Sequence, residues 1–199
     1  MKRIFRRALV AASSLGVVGG IALTTLPASA APVPVQSWGA SATGPISFPP
    51  VAYANSFHTP GVASNANYTN FLTTGMIVDR ASRLTGYSLV NSPLVQINFI
   101  LAKIQASQIS SWCHLVNRGR DAIGGSYIYN GSVTQNGSDE ANPIQTPGRN
   151  TVVHIYGATI TFNAQSFTAG KLTVAAIKIA SGPETLLLGV TTCQTRDVG

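Results

Sequence analysis

Val, Ile, Thr, Tyr and Phe recur along most of this chain in short runs, and Gly, Pro, Asn and Ser interrupt them at close intervals. That punctuation leaves helix signals nearly absent and specifies strands of about four to eight residues joined by turns. Val95-Gln96-Ile97-Asn98-Phe99 alternates most clearly, placing Val95, Ile97, Phe99 and Leu101 on one face against Gln96 and Asn98 on the other, as a half-buried strand requires. Ile100 to Ile104 reads as its continuation, with one amphipathic helical turn as the alternative. Asn130-Gly131 sits between two β-prone dipeptides and favours the positive φ pair of a type I′ hairpin, a bulged strand being the other option. Thr151 to Phe162 sets His154, Tyr156, Ala158, Ile160 and Phe162 against Val153, Ile155, Gly157, Thr159 and Thr161, with a bend or bulge expected at Gly157. Lys171 to Ala180 and Thr185 to Thr192, separated by Ser181-Gly182-Pro183-Glu184, form a C-terminal hairpin. Val35 to Ala42 is a first strand, whereas Pro45, Pro49, Pro50 and Pro60 restrict Gly44 to Asn67 to edge strand and loop, because proline donates no ladder hydrogen bond. Eight or so strands with no fixed repeat point to an all-β fold, a single antiparallel β-sandwich or an irregular β-barrel.

Met1 to Ala30 has the layout of a cleaved signal peptide: basic Lys2, Arg3, Arg6 and Arg7, an apolar stretch from Ala8 to about Leu26, then Pro27 and Ala28-Ser29-Ala30. An uncleaved anchor is the competing reading, opposed by Gly16, Gly19 and Gly20 within the apolar stretch. Arg6-Arg7 also resembles a twin-arginine signal, leaving the export route open. Residues 31–199 are then one secreted domain, with strands over 35–134, a polar loop over 135–150 and strands over 151–193. The later sequence holds no apolar run long enough to span a bilayer. The net charge of +7 owes four of its basic residues to the N-terminal segment; the rest carries nine against six acids. Such a balance, with Arg118-Gly119-Arg120-Asp121 as its one small basic cluster, does not make a nucleic-acid interface.

In a chain routed to an oxidising exterior, Cys113 and Cys193 are expected to pair with each other and staple neighbouring strands, two free buried thiols being the alternative. Closing a loop of about 80 residues stabilises the fold by about 4.5 kcal/mol on the chain-entropy estimate. Two cysteines match no zinc spacing, and no metal or cofactor site is expected. No Gly-x-Ser-x-Gly, Ser-x-x-Lys or His-Glu-x-x-His motif occurs, so no catalytic residue is assigned to His58, His114 or His154. Asp139-Glu140, the one adjacent acidic pair, reads as solvated charge or at most weak Ca²⁺ ligands. The 15 aromatic residues fill the core or cover sheet edges, unless Tyr68, Tyr87, Tyr127 and Tyr129 form an exposed row able to stack sugars.

Five segments resemble the choice-of-anchor P family of exported actinobacterial proteins. They are Trp38-Gly39-Ala40-Ser41-Ala42-Thr43-Gly44-Pro45-Ile46, Asn150-Thr151-Val152-Val153, Ile160-Thr161-Phe162-Asn163-Ala164-Gln165, Gly170-Lys171-Leu172-Thr173-Val174-Ala175-Ala176-Ile177 and Val190-Thr191-Thr192-Cys193. The chain departs from that pattern at Ala164, where the family tends to have Glu, and at Ala175, where it tends to have Asn. The resemblance implies a secreted, cysteine-stapled, all-β domain and carries no known activity. The leading expectation is a non-enzymatic extracellular or cell-envelope protein, structural or adhesive, whose partner is a cell-wall glycan or a surface protein. The alternatives are a carbohydrate-binding module using surface aromatics and, behind it, an unrecognised secreted hydrolase.

Overall fold

The computed structural model describes residues 35–55, 61–63, 67–68, 71–97, 102–141, 145–155 and 157–196. The expected signal peptide, His58, Tyr156 and the expected facing of Phe99 and Leu101 lie outside the described residues, as do the side chains of Tyr68, Ile97, Asp139 and Glu140. In chain order the strands are β1 (Val35–Thr43), β2 (Phe48–Val51), β3 (Ala54–Asn55), β4 (Gly61–Ala63), β5 (Asn67–Tyr68), β6 (Leu72–Thr73), β7 (Ile77–Ala81), β8 (Thr85–Asn91) and β9 (Leu94–Ile97). They continue with β10 (Ala102–Gln105), β11 (Gln108–Val116), β12 (Asp121–Tyr129), β13 (Ser132–Gln135), β14 (Ser138–Ala141), β15 (Thr151–Ile155), β16 (Ala158–Thr168), β17 (Lys171–Ser181) and β18 (Glu184–Gln194). All pairing is antiparallel and no sheet closes into a barrel, so the fold is of the sandwich type.

Sheet A runs β15-β16-β17-β18-β1-β2, with β3 also on β1; sheet B runs β12-β11-β8-β7-β4 and sheet C runs β14-β13-β10-β9-β6-β5. B and C follow the same order because β12, β11, β8 and β7 of B run directly into or out of β13, β10, β9 and β6 of C. The breaks fall at Thr74–Met76, Ser92-Pro93, Ala106-Ser107 and Asn130-Gly131. Hydrogen bonds knit across that line, Ser92 N–H to Ser107 O at 2.8 Å and Ser107 N–H to Tyr129 O at 2.9 Å among them. B and C are thus two halves of one sheet folded along a crease, where Ser92 (φ 45°) and Asn130 (φ 50°) take left-handed backbone.

Three expectations are corrected here. Asn130-Gly131 does not close a hairpin: β12 pairs with β11, β13 with β10 and β14, and the dipeptide bends one long strand. The hairpin is the next Asn-Gly, where Asn136 (φ 50°) and Gly137 (φ 78°) join β13 to β14 with Gln135 opposite Ser138, as a two-residue turn with both φ positive demands. Residues 135–150 are therefore not one loop. Thr151 to Phe162 is likewise two strands, since Ile155 pairs with Ala158 and Gly157 (φ 73°) lies in the turn. The C-terminal hairpin closes over Gly182-Pro183, with Ser181 opposite Glu184.

Sheet A packs its inner face on B and C. Phe162, Ile177 and Leu188 from A meet Ile109 and Ile128 from B and Leu72, Val95 and Val133 from C in one core, each such side chain contributing about 1.5–3 kcal/mol on full burial. A second cluster, Val35, Leu115, Leu172 and Val174, surrounds the disulfide between Cys113 on β11 and Cys193 on β18. The bond therefore joins two facing sheets, not the neighbouring strands expected. Its Cα atoms are 6.0 Å apart, far closer than the ~10 Å between stacked sheets. Glycine allows that approach: Cys113 is flanked in register by Gly86 on β8 and Gly124 on β12. A Cβ on Gly124 would stand 2.6 Å from Val174 Cγ2 and 2.7 Å from the Trp112 carbonyl. Since a backbone carbonyl cannot rotate away, Gly124→Ala is expected to destabilise the fold by about 1–3 kcal/mol, the usual cost of overpacking. Denaturant unfolding measures it, and an unchanged midpoint would contradict this account of the close approach.

Candidate functional site

Alternation on sheet B sends even-numbered residues of β11 outward and odd-numbered residues inward. Register then assembles the outer face in rows: Arg80, Tyr87, Trp112 and Gly125; next Val78, Leu89, Ser110 and Tyr127; next Asn91, Gln108 and Tyr129. Tyr87, Trp112 and Tyr129 remain 38%, 41% and 43% exposed, enough ring surface to take a ligand. A Cβ on Gly125 would meet Trp112 Cζ2, Nε1 and Cε2, each 3.2–3.3 Å away, so the indole lies across the bare backbone of the neighbouring strand. Four strand positions and two strand spacings separate Tyr87 from Tyr129, making an aromatic strip of about 17 Å along its diagonal.

Amides border that strip. Gln108 Nε2 donates to Asn91 Oδ1 at 3.2 Å, and Asn91 Nδ2 donates to the Met76 carbonyl at 2.9 Å. Beyond Tyr129 the strip meets the B/C crease, a cleft of about 400 Å³ lined by Ser92, Pro93, Gln105, Ser107 and Asn130 among others. Among the described residues the outer face of sheet C offers Leu94, Gln96, Lys103 and Gln105. Of the tyrosines expected in a row, Tyr87, Tyr127 and Tyr129 share this face; Trp112, its centre, was not in that expectation. The signal for it lay in Gly124-Gly125, which a strand tolerates only where something lies close on each side.

The histidines do not converge. His114 sits half-buried on β11 opposite Thr85 and Ile123, whereas His154 lies exposed on β15 in sheet A, its Nδ1 3.3 Å from Thr159 Oγ1. Among the described residues that line it, the cleft at the B/C crease has neither a histidine nor a carboxylate. Among the described residues no three metal-ligating side chains gather, and no helix is long and apolar enough to cross a membrane. Arg118 and Arg120 flank an exposed turn in which Asn117 (φ 50°), Arg118 (φ 60°) and Gly119 (φ 88°) are successively left-handed, and Asn117 Nδ2 donates to the Asp121 carboxylate.

One ionisable group is anomalous. The inner face of sheet B carries a polar row, Asp79, Ser88, Ser111 and Ser126, in direct register across four strands. All four are buried. Ser111 Oγ donates to Thr191 Oγ1 across the sandwich at 3.4 Å, while Ser88 Oγ donates to the Trp38 carbonyl at 3.1 Å. With the Ser88 proton so committed, neither Asp79 oxygen has a partner at hydrogen-bonding geometry. Burial pushes the Asp79 carboxyl up to about 8, and the nearby Ser88 hydroxyl and Gly39 amide offset only part of that rise. The folded chain thus keeps a proton that the unfolded chain releases near pH 4, so the stability this group permits is greatest in acid and falls as pH rises toward 8. Melting temperatures from pH 5 to 8.5 should fall more steeply for the wild type than for Asp79→Asn, which cannot ionise; equal slopes would contradict the assignment.

Comparison with known proteins yields no match: no family model, no curated protein and no solved structure matches this chain.

Proposed function

We propose that the chain is an exported binding domain that adheres to glycan through the outer face of sheet B. The observation that carries this reading is the strip of Tyr87, Trp112, Tyr127 and Tyr129, with the Trp112 indole bedded on Gly125. A pyranose ring has an apolar C–H face and a rim of hydroxyls. An aromatic plane supplies the first with a partner, and the amides of Gln108 and Asn91 beside it supply the second. A strip of about 17 Å is longer than one sugar ring, which favours oligosaccharides over monosaccharides. The Cys113–Cys193 bond and the layout of residues 1–30 support export to an oxidising compartment. The resemblance to the choice-of-anchor P family belongs to the same reading. Its five motifs fall on β1, β15, β16, β17 and β18, five consecutive strands of sheet A. We assign no reaction, since no nucleophile, base and orienting group meet among the described residues.

A glycan array followed by titration of the best oligosaccharide tests the proposal. Trp112→Ala should weaken binding at least tenfold, about 1.4 kcal/mol, as expected for a central aromatic anchor. Gly125→Val, which lifts the indole from its bed, should weaken it similarly, while Trp112→Phe should retain most of it. Absence of any glycan whose binding responds to these changes would refute the proposal.

A further inference from the structure

The outer face of sheet A carries a second concavity on the opposite side of the sandwich. It arises where β16, β17, β18 and β1 each lose one residue from the ladder. Pairing passes from Phe162–Ile177 to Ala164–Ala175, from Ile177–Leu188 to Ala175–Val190, and from Ala40–Leu188 to Trp38–Val190. Asn163, Ala176, Gly189 and Gly39 are left between. Along this crease lies an open groove of about 440 Å³, within the range of small-ligand sites.

Its floor is small: half-buried Ala164 stands directly opposite Ala175, which is almost fully buried. Val152 and Leu187 add apolar surface, Thr161 and Thr173 add hydroxyls, and Lys178 is the one charged residue among the described residues on the lining. Its cross-strand neighbours, Thr161 and Leu187, are uncharged. No acidic side chain among the described residues lines the groove, so the ammonium is left to attract an anion from outside.

We propose that this groove binds a carboxylated saccharide, with the carboxylate on Lys178 Nζ, an apolar ring face against Ala164 and Leu187, and ring hydroxyls toward Thr161 and Thr173. The site stands apart from the aromatic strip, so the two proposals fail or succeed separately. With both occupied, the domain would bridge two saccharide chains on opposite faces, a geometry that multiplies avidity without new contacts.

Amide NMR shifts of the full chain during titration with an oligogalacturonate trimer, and with the corresponding neutral trisaccharide, provide the test. The uronate should move the amides of Thr161, Ala164, Ala175 and Lys178. Lys178→Gln should weaken uronate binding by about fivefold, the upper range for an exposed ion pair, and raised salt should reproduce that loss. Ala164→Leu, which fills the floor, should abolish it, with Trp112→Ala leaving it intact. Shifts confined to the Trp112 face, no saturable shift at all, or a Lys178→Gln variant that binds uronate like the wild type would each overturn the proposal. Should Ala164→Leu fail to fold, the wild-type shift map and Lys178→Gln decide alone.

Discussion

The 6.0 Å approach of β11 to β18 at the disulfide constrains everything around it. Facing sheets stand ~10 Å apart because side chains fill the space between them, so a local approach this close requires that side chains be missing. Gly86 and Gly124, the two cross-strand neighbours of Cys113, supply that absence. The next residue in the chain, Gly125, points the other way and leaves a bare strip of backbone under the Trp112 indole. One dipeptide, Gly124-Gly125, therefore serves both faces of sheet B: inward it admits sheet A, outward it flattens the central ring of the proposed binding surface. Stability and the proposed function meet in two residues that have no side chains.

Away from the disulfide the space between the sheets must widen to hold Phe162, Ile177, Leu188 and Ile109. Long strands accommodate the change by creasing. A single unpaired residue in one strand would turn the rest of that strand inside out, because side chains alternate with a period of two. In sheet A the irregularity therefore falls at one level in β16, β17, β18 and β1 together. The inward set passes from Phe162, Ile177, Leu188 and Ala40 to Gln165, Val174, Thr191 and Ser37. Asn163 (φ 49°) and Gly189 (φ 56°) take the left-handed backbone this requires. The buried Asn163 amide is satisfied by donating to the Pro147 carbonyl at 2.9 Å and accepting from Gln165 Nε2 at 2.9 Å.

Local chemistry made part of this legible in the sequence. Gly182-Pro183 can hardly do anything but turn, Pro49 and Pro50 confine β2 to an edge, and Val35 to Ala42 reads as a strand from its own residues. The all-β class followed from such signals. Asn130-Gly131 and Gly157 show where the reading stopped. A left-handed residue is needed equally by a hairpin, a bulge and a bend, and which of them forms depends on what the next segment finds to pair with, a fact held elsewhere in the chain. The same limit hid the aromatic strip, since whether Tyr87, Trp112 and Tyr127 share a face depends on register between strands far apart in sequence. Asp79 gave no sign of burial, because its neighbours in the chain, Val78 and Arg80, face outward and what encloses it comes from elsewhere in the chain: Ser88 of β8 and Gly61 of β4 in register, and Gly39 of β1 across the sandwich.

A structure of the chain with an oligosaccharide of three or more units bound would test the central claim most directly. The account predicts sugar rings stacked along Trp112, Tyr127 and Tyr129, with hydroxyls reaching Gln108 and Asn91. A saccharide seated elsewhere while this face stays bare, or the face buried against a second copy of the chain, would contradict it.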